Sequence, residues 1–226
     1  QQLCKMLQAM GADISGVGTD KLIIKGVSQL EPADIEVIPD RVEAGTFLMA
    51  GAALGEVTIN KIVPTHLRTV LIKLEETGAK VRTNQNSITI TRSDKIIPVD
   101  MTTAVFPGFP TDLQAQWVAL MMLAEGSSVI TDTVYHDRFS HVPELNRLGA
   151  NIHVENNVAI IRGVKKLVGA PVMSTDIRAS ASLINGGLMA HGRTEVSRIY
   201  HIDRGYERIE EKFRSLGADI MRKTES

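Results

Sequence analysis

The sequence predicts a closed α/β domain of threefold-like repetition, with helices packed together inside and sheets outside, on three observations. A Gly-Ala-polar-Ile/Val pattern ends a helix-like run four times, at Gly11-Ala12-Asp13-Ile14, Gly78-Ala79-Lys80-Val81, Gly149-Ala150-Asn151-Ile152 and Gly217-Ala218-Asp219-Ile220, spaced 67, 71 and 68 residues apart. A near-constant period means one supersecondary unit used repeatedly. Between these marks each copy reads βαβαββ, and the apolar runs Phe47 to Ala50, Val118 to Leu123 and Leu183-Ile184 supply one buried helix per copy.

In chain order, Gln2 to Met10 is the second helix of an earlier copy, followed by strands at Asp13 to Ser15 and Leu22 to Lys25. Gly26 to Ala33 lacks periodicity, contains Gly26 and Pro32, and is the linker candidate. The first full unit has a short strand Glu36-Val37-Ile38. A helix follows, opened by Pro39-Asp40, in which Asp40 and Glu43 form a capping-box-like start, and Gly55 stops it. Strand Val57 to Ile59, a helix from His66 to Thr77, and strands Lys80 to Arg82 and Ser87 to Thr91 complete it. The second unit runs strand Ile97 to Met101, helix Asp112 to Glu125, strand Ser128 to Thr131, helix Val142 to Leu148, and strands Asn151 to Glu155 and Val158 to Arg162. The third has strand Val172-Met173, helix Asp176 to Ala190, strand Thr194 to Ser197, helix Tyr206 to Leu216 and strand Asp219 to Arg222, one strand short of the others.

Composition narrows the function classes. The 226 residues carry 25 basic and 26 acidic side chains, a net charge of −1, which argues against a broad surface for nucleic acid or anionic lipid, so any anion site is local. Cys4 is the single cysteine, which excludes an intrachain disulfide and suits a reducing cytoplasm. No Cys/His cluster has zinc spacing, and no run approaches the ~18 apolar residues of a membrane span. The absence of an initiating Met predicts that the chain begins inside a longer one.

Candidate functional residues lie where the copies differ. The first helix of each unit begins at Asp40, Asp112 and Asp176, each of which alone reads as an N-cap. Only Asp112 follows a long loop rich in Pro, Gly and Phe, Thr102 to Thr111. Arg138 and Arg204 occupy matching strand-to-helix loops of the second and third units, and Arg178 and Arg41 sit at the starts of helices. Several arginines at helix N-termini favour a phosphate or carboxylate clamp. Gly16-Val17-Gly18-Thr19-Asp20 reads as a turn rather than a nucleotide loop, and His66, His141, His191 and His201 have no partner at catalytic or metal spacing.

The segments Phe109 to Gln116, Val142-Pro143-Glu144-Leu145, Thr175 to Leu183 and Tyr200 to Ile209 resemble, in order, the UDP-N-acetylglucosamine 1-carboxyvinyltransferases, enolpyruvyl transferases of the EPSP synthase-like family. The resemblance implies an inside-out α/β barrel. It also implies transfer of enolpyruvyl from phosphoenolpyruvate to the 3-hydroxyl of UDP-N-acetylglucosamine, with release of phosphate, in cytoplasmic peptidoglycan synthesis. By it Asp112 is the catalytic base or orienting group, Val134 a UDP-sugar contact, and Arg204 the catalytic cation that holds phosphoenolpyruvate, with Arg138 and Arg178 supporting. Neither a cofactor nor a metal is required, and neither nucleic acid nor membrane is a partner. The family's proton-donating cysteine and its Lys-Asn pair belong to a first domain. Cys4 matches neither, so residues 1–33 are expected to be the last helix and strands of that domain, 34–226 the second domain, and the chain inactive alone. The alternatives are the sister 3-phosphoshikimate 1-carboxyvinyltransferase, which the Thr111 to Gln116 segment disfavours, and a non-catalytic repeat module.

Overall fold

The four repeat glycines share one backbone conformation. Gly11, Gly78, Gly149 and Gly217 have φ of 97°, 92°, 87° and 94°, a region that side chains disfavour. Each donates its N–H to a carbonyl three residues back, on Gln8, Glu75, Asn146 and Arg214, which closes the preceding helix. The computed structural model describes residues 1–223 and divides into two compact units, Gln1–Pro39 and a larger one from Asp40 onward.

In the first unit, α1 (Gln2–Ala9) precedes an antiparallel pair, β1 (Asp13–Ser15) and β2 (Ile23–Lys25). Gly16 and Gly18 make the connecting turn at positive φ, and the Thr19 hydroxyl donates to the Gly16 carbonyl at 2.7 Å. Residues 26–40 contain no helix or strand, so the strand expected at Glu36 to Ile38 is absent. No ladder forms there; the Glu36 carbonyl accepts from the Gln2 side chain instead, at 2.8 Å.

The second unit begins with α2 (Arg41–Leu54), β3 (Glu56–Asn60), α3 (Arg68–Glu76), β4 (Lys80–Thr83) and β5 (Ser87–Thr91), whose strands order β3-β5-β4, all antiparallel. A 3-10 turn at Pro64–Leu67 takes the first residues of the helix expected from His66. The next copy comprises β6 (Met101–Thr102), α4 (Gln114–Met121), β7 (Ser127–Thr131), α5 (Val142–Arg147), β8 (Asn151–Glu155) and β9 (Val158–Arg162). Its sheet orders β6-β7-β9-β8, with β6 parallel to β7. The expected strand from Ile97 shrinks to β6 because the Ile97 N–H is spent on the Thr77 carbonyl and Pro98 has none to give. α4 stops short of Glu125 because the Glu125 N–H goes to the Ile96 carbonyl and the Met122 carbonyl accepts from Val164.

The third copy holds β10 (Leu167–Val168), β11 (Pro171–Met173), α6 (Ile177–Met189), β12 (Ala190–His191), β13 (Glu195–Ser197) and α7 (Ile209–Ser215). β10 pairs with β12 and β11 with β13, both in parallel. The helix expected from Tyr206 begins only at Ile209, after a 3-10 turn at Ile199–Arg204. Asp219 to Arg222 form no strand. In the other copies the equivalent strand, β4 or β8, pairs only with the strand that follows it, and none follows here among the described residues.

The expected buried helices are found. α2, α4 and α6 pack against one another, and each also meets strands of its own copy: α2 with β3 and β5, α4 with β7 and β9, α6 with β13. Leu48, Trp117, Leu120, Met121, Ala181 and Leu183 are at most 1% exposed. One polar knot joins the three helices. The Thr46 hydroxyl lies 2.8 Å from the Tyr206 phenol and accepts from Gln116 Nε2 at 3.0 Å, while the Thr46 carbonyl accepts from Asn185 Nδ2 at 3.1 Å. Burial pushes the Tyr206 phenol up to about 12, against the pull of its Thr46 and Gln116 bonds.

Candidate active site

Two of the three aspartates cap helices. Asp40 Oδ1 accepts the Val42 and Glu43 N–H groups at 2.7 and 3.2 Å, and Asp176 Oδ1 accepts those of Arg178 and Ala179 at 2.7 and 3.1 Å. Asp112 does not cap, which corrects the simplest reading of it. The long loop ends in a 3-10 turn at Thr111–Leu113, and Asp112 sits inside that turn with no backbone N–H leaning on its carboxylate. Its Oδ1 instead accepts from Arg178 Nε at 2.6 Å, with Arg178 Nη2 at 2.5 Å, and from Arg138 Nη1 at 3.2 Å. Oδ2 takes part in none of these bonds, and the side chain is 39% exposed. A carboxylate is thus braced on one oxygen by two guanidiniums from two different copies while its other oxygen stays available.

Arg178 reaches Asp112 because Asp176 caps α6 and fixes its first turn. Burial pushes the Asp176 carboxyl up, but the Ala179 and Arg178 N–H groups, the Arg178 charge and the nearby His141 outweigh it and hold it below the usual range. His141 is fully buried, and desolvation, only partly offset by Asp176, lowers it to about 4. It is a neutral core histidine at physiological pH.

Arg138 and Val134 come from the loop after β7, and a residue that sequence reasoning missed organises that loop. Asp132 is buried, and its carboxylate accepts four bonds: from the Thr103 hydroxyl at 2.8 Å, the Thr111 hydroxyl at 2.6 Å, and the Val134 and Tyr135 N–H groups at 3.0 and 2.9 Å. Burial would raise this carboxyl; the four donors together bring it below the ordinary value. Arg138 also donates to the Thr111 hydroxyl at 2.9 Å and lies over the Tyr135 ring, 3.9 Å from its centroid. The signal was present in the repeat. The residue after the equivalent strand is Lys61 in the first copy and Arg198 in the third, both at positive φ, and an aspartate only in the second.

Arg204 stands apart. It ends the 3-10 turn Ile199–Arg204, is exposed, and joins none of the bonds around Asp112. The turn nevertheless packs on α6, so closely that a Cβ on Gly205 would collide with Ile177, the neighbour of Arg178. Arg222 clamps the preceding residue, donating to both oxygens of Asp203 at 2.7 and 3.0 Å. Arg41 lies over the Phe106 ring, 5.1 Å from its centroid, and takes no part in the cluster. Cys4 lies in α1 of the first unit and is half-buried. Among the described residues no group of three or more His, Cys, Asp and Glu is placed to hold a metal ion.

This fold has known counterparts. The model of the EPSP synthase (3-phosphoshikimate 1-carboxyvinyltransferase) family matches residues 1–213. The UDP-N-acetylglucosamine 1-carboxyvinyltransferase of Pelodictyon phaeoclathratiforme is 54% identical over 223 residues, covering 98% of this chain and 53% of that protein. The enzyme of the same name from Bdellovibrio bacteriovorus is 54% identical over 222 residues, covering 97% and 54%. Among solved structures, the enolpyruvyl transferase NikO of Streptomyces tendae superposes with a TM-score of 0.86 at 30% identity, covering 96% of this chain and 53% of that one. The EPSP synthase of Acinetobacter baumannii shares the fold, with a TM-score of 0.73 at 20% identity over 95% of this chain and 54% of its own. The chain spans about half the length of the curated relatives it matches. With the family model matching residues 1–213 and the buried helices where the repeat requires them, the chain belongs to the EPSP synthase family.

Proposed function

We propose that this chain is the second-domain part of a UDP-N-acetylglucosamine 1-carboxyvinyltransferase. It would move enolpyruvyl from phosphoenolpyruvate to the sugar 3-hydroxyl in cytoplasmic peptidoglycan synthesis. The observation that carries this is Asp112, braced on Oδ1 by Arg138 and Arg178 and unengaged at Oδ2. The attacking hydroxyl must lose a proton, and Oδ2 is the base or orienting acceptor for it. The bond forms between that hydroxyl oxygen and C2 of the enolpyruvate as C3 gains a proton, and the tetrahedral intermediate then expels phosphate. Two guanidiniums facing one carboxylate leave positive charge for an anionic donor; Arg204 binds that donor, Arg138 and Arg178 support it, and Val134 contacts the UDP-sugar.

Residues 1–33 are the terminal helix and strands of a first domain, and 34–226 the second, closed as an inside-out barrel of three units on the βαβαββ plan, the first without its opening strand and the third without its closing pair among the described residues. The proton donor and the remaining substrate contacts come from the rest of the first domain. Half of a cleft cannot orient both reactants, so the 226-residue chain alone is expected to release no phosphate from phosphoenolpyruvate. The full-length polypeptide that carries it is expected to do so with UDP-N-acetylglucosamine and not with shikimate 3-phosphate. Turnover with shikimate 3-phosphate alone would move the assignment to the sister enzyme, and none with either would favour a non-catalytic module. Asp112→Asn in that polypeptide should lower kcat by about 10²–10⁴-fold with an unchanged melting temperature. Near-normal turnover would remove Asp112 from the chemistry.

A further inference from the structure

The second copy alone places a carboxylate directly after its strand, and that carboxylate reaches two parts of the site. We propose that Asp132 is a positioning residue whose two oxygens have separate tasks, Oδ1 setting the loop of Val134 and Oδ2 setting Arg138 against Asp112; this rests on the roles given to those three residues above. Asp132 is 0% exposed. Its own N–H and carbonyl are pinned by Asn157, at 2.9 Å to the Asn157 carbonyl and 3.0 Å from Asn157 Nδ2, so the carboxylate has a fixed origin.

Every group that meets the carboxylate is a donor. Oδ1 accepts from the Thr103 hydroxyl and from the Val134 and Tyr135 N–H groups; Oδ2 accepts from the Thr111 hydroxyl. A hydroxyl has one hydrogen. Because Thr111 spends its hydrogen on Oδ2, it presents lone pairs to Arg138 Nη1, 2.9 Å away, and arginine can only donate. The same Nη1 also donates to Asp112 Oδ1 at 3.2 Å. Hydrogen-bond direction is therefore dictated from the buried end, Asp132 orienting Thr111, Thr111 holding Arg138, and Arg138 bracing Asp112. A turn-forming aspartate that served the loop alone would need only Oδ1. The reach of Oδ2 to the residue just before Asp112 goes beyond that need.

The two oxygens predict two kinetic signatures in the full-length polypeptide. Thr111→Val cuts only the Oδ2 branch and should lower kcat by about 10–100-fold, the scale of a misplaced catalytic group, with KM for UDP-N-acetylglucosamine within about twofold. Thr111→Ser keeps the hydroxyl and should recover most of the loss. Asp132→Asn can retain the acceptor for the three Oδ1 donors while presenting an N–H to Thr111, so it should match Thr111→Val and add little when the two are combined. Asp132→Ala releases the Val134 loop as well and should also raise KM. The proposal is overturned if Thr111→Val leaves kcat within about twofold, if Thr111→Ser is no better than Thr111→Val, or if the Asn and Val losses simply add.

A readout on the 226-residue chain separates this proposal from the enzymatic one. Amide exchange at Val134 and Tyr135 should quicken in Asp132→Ala and stay slow in Thr111→Val and Asp132→Asn; equal exchange in all three sinks the division of labour whether or not the full-length polypeptide turns over. Absence of turnover in the unsubstituted polypeptide, with the expected exchange pattern, would instead count against the enzymatic assignment alone.

Discussion

Asp40, Asp112 and Asp176 occupy equivalent places, and what separates them is who donates. Backbone N–H groups claim the first and third, arginine side chains claim the second. Pro110 and the 3-10 turn at Thr111–Leu113 displace Asp112 from the cap position, so its charge is left for other partners. His141 gives a measurable consequence at the same scale. Burial lowers its folded-state value to about 4 from the ordinary 6.5, so the unfolded chain takes up the proton first. Its stabilising effect is complete above pH 6.5 and is lost as pH falls toward 4, at most about 3 kcal/mol from this one group. Asp132 and Asp176, both held below the carboxylate range, add a further loss at more acid pH. Urea unfolding of the chain between pH 7 and 4 should show the first decline, and His141→Gln should flatten it; an equally steep profile in the variant would assign the decline to other groups.

Among the elements, the close approach of α2 to the turn of Asp112 depends on one missing side chain. A Cβ at Gly45 would collide with the buried side chain of Leu113, the residue after Asp112. Gly45→Ala should therefore destabilise the chain by about 1–3 kcal/mol despite its better helix propensity, and thermal melting would register it. A gain in melting temperature would mean that Leu113 can step aside. Much of this level was legible beforehand. The glycine stops, β3, β5, β8 and β9, and the aspartate caps of α2 and α6 follow from local residue chemistry. The misjudged pieces share a cause, since Ile97, Glu36 to Ile38 and Asp219 to Arg222 have strand-like side chains but no partner strand, and pairing is decided by distant chain. The site divided in the same way. Asp112 and its arginines stood out against the other copies, whereas Asp132 was hidden because a strand-end aspartate is locally unremarked and only its four donors, two of them 29 and 21 residues away, reveal it.

Across the whole molecule, a polar knot ties the three copies together at the centre of their apolar core. Thr46 from α2 meets Gln116 from α4, Asn185 from α6 and Tyr206 from the segment before α7. Thr46→Val keeps the volume but leaves the Gln116 amide and the Tyr206 phenol only their long mutual bond, 3.4 Å from Gln116 Nε2 to the phenol oxygen, and should cost about 1–3 kcal/mol; the denaturant midpoint would show it, and an unchanged midpoint would mean that this mutual bond or buried water replaces the hydroxyl. The bond between Arg178 and Asp112 spans 66 residues and two copies, which sets an order of events during synthesis. The second copy can complete its own four-stranded sheet once Arg162 has emerged, yet Asp112 then has only Arg138 beside it. At about 5–20 residues per second, Arg178 follows Arg162, the end of β9, by roughly 1–3 s. A nascent chain thus passes through an interval in which the copy is folded and the charge cluster is incomplete.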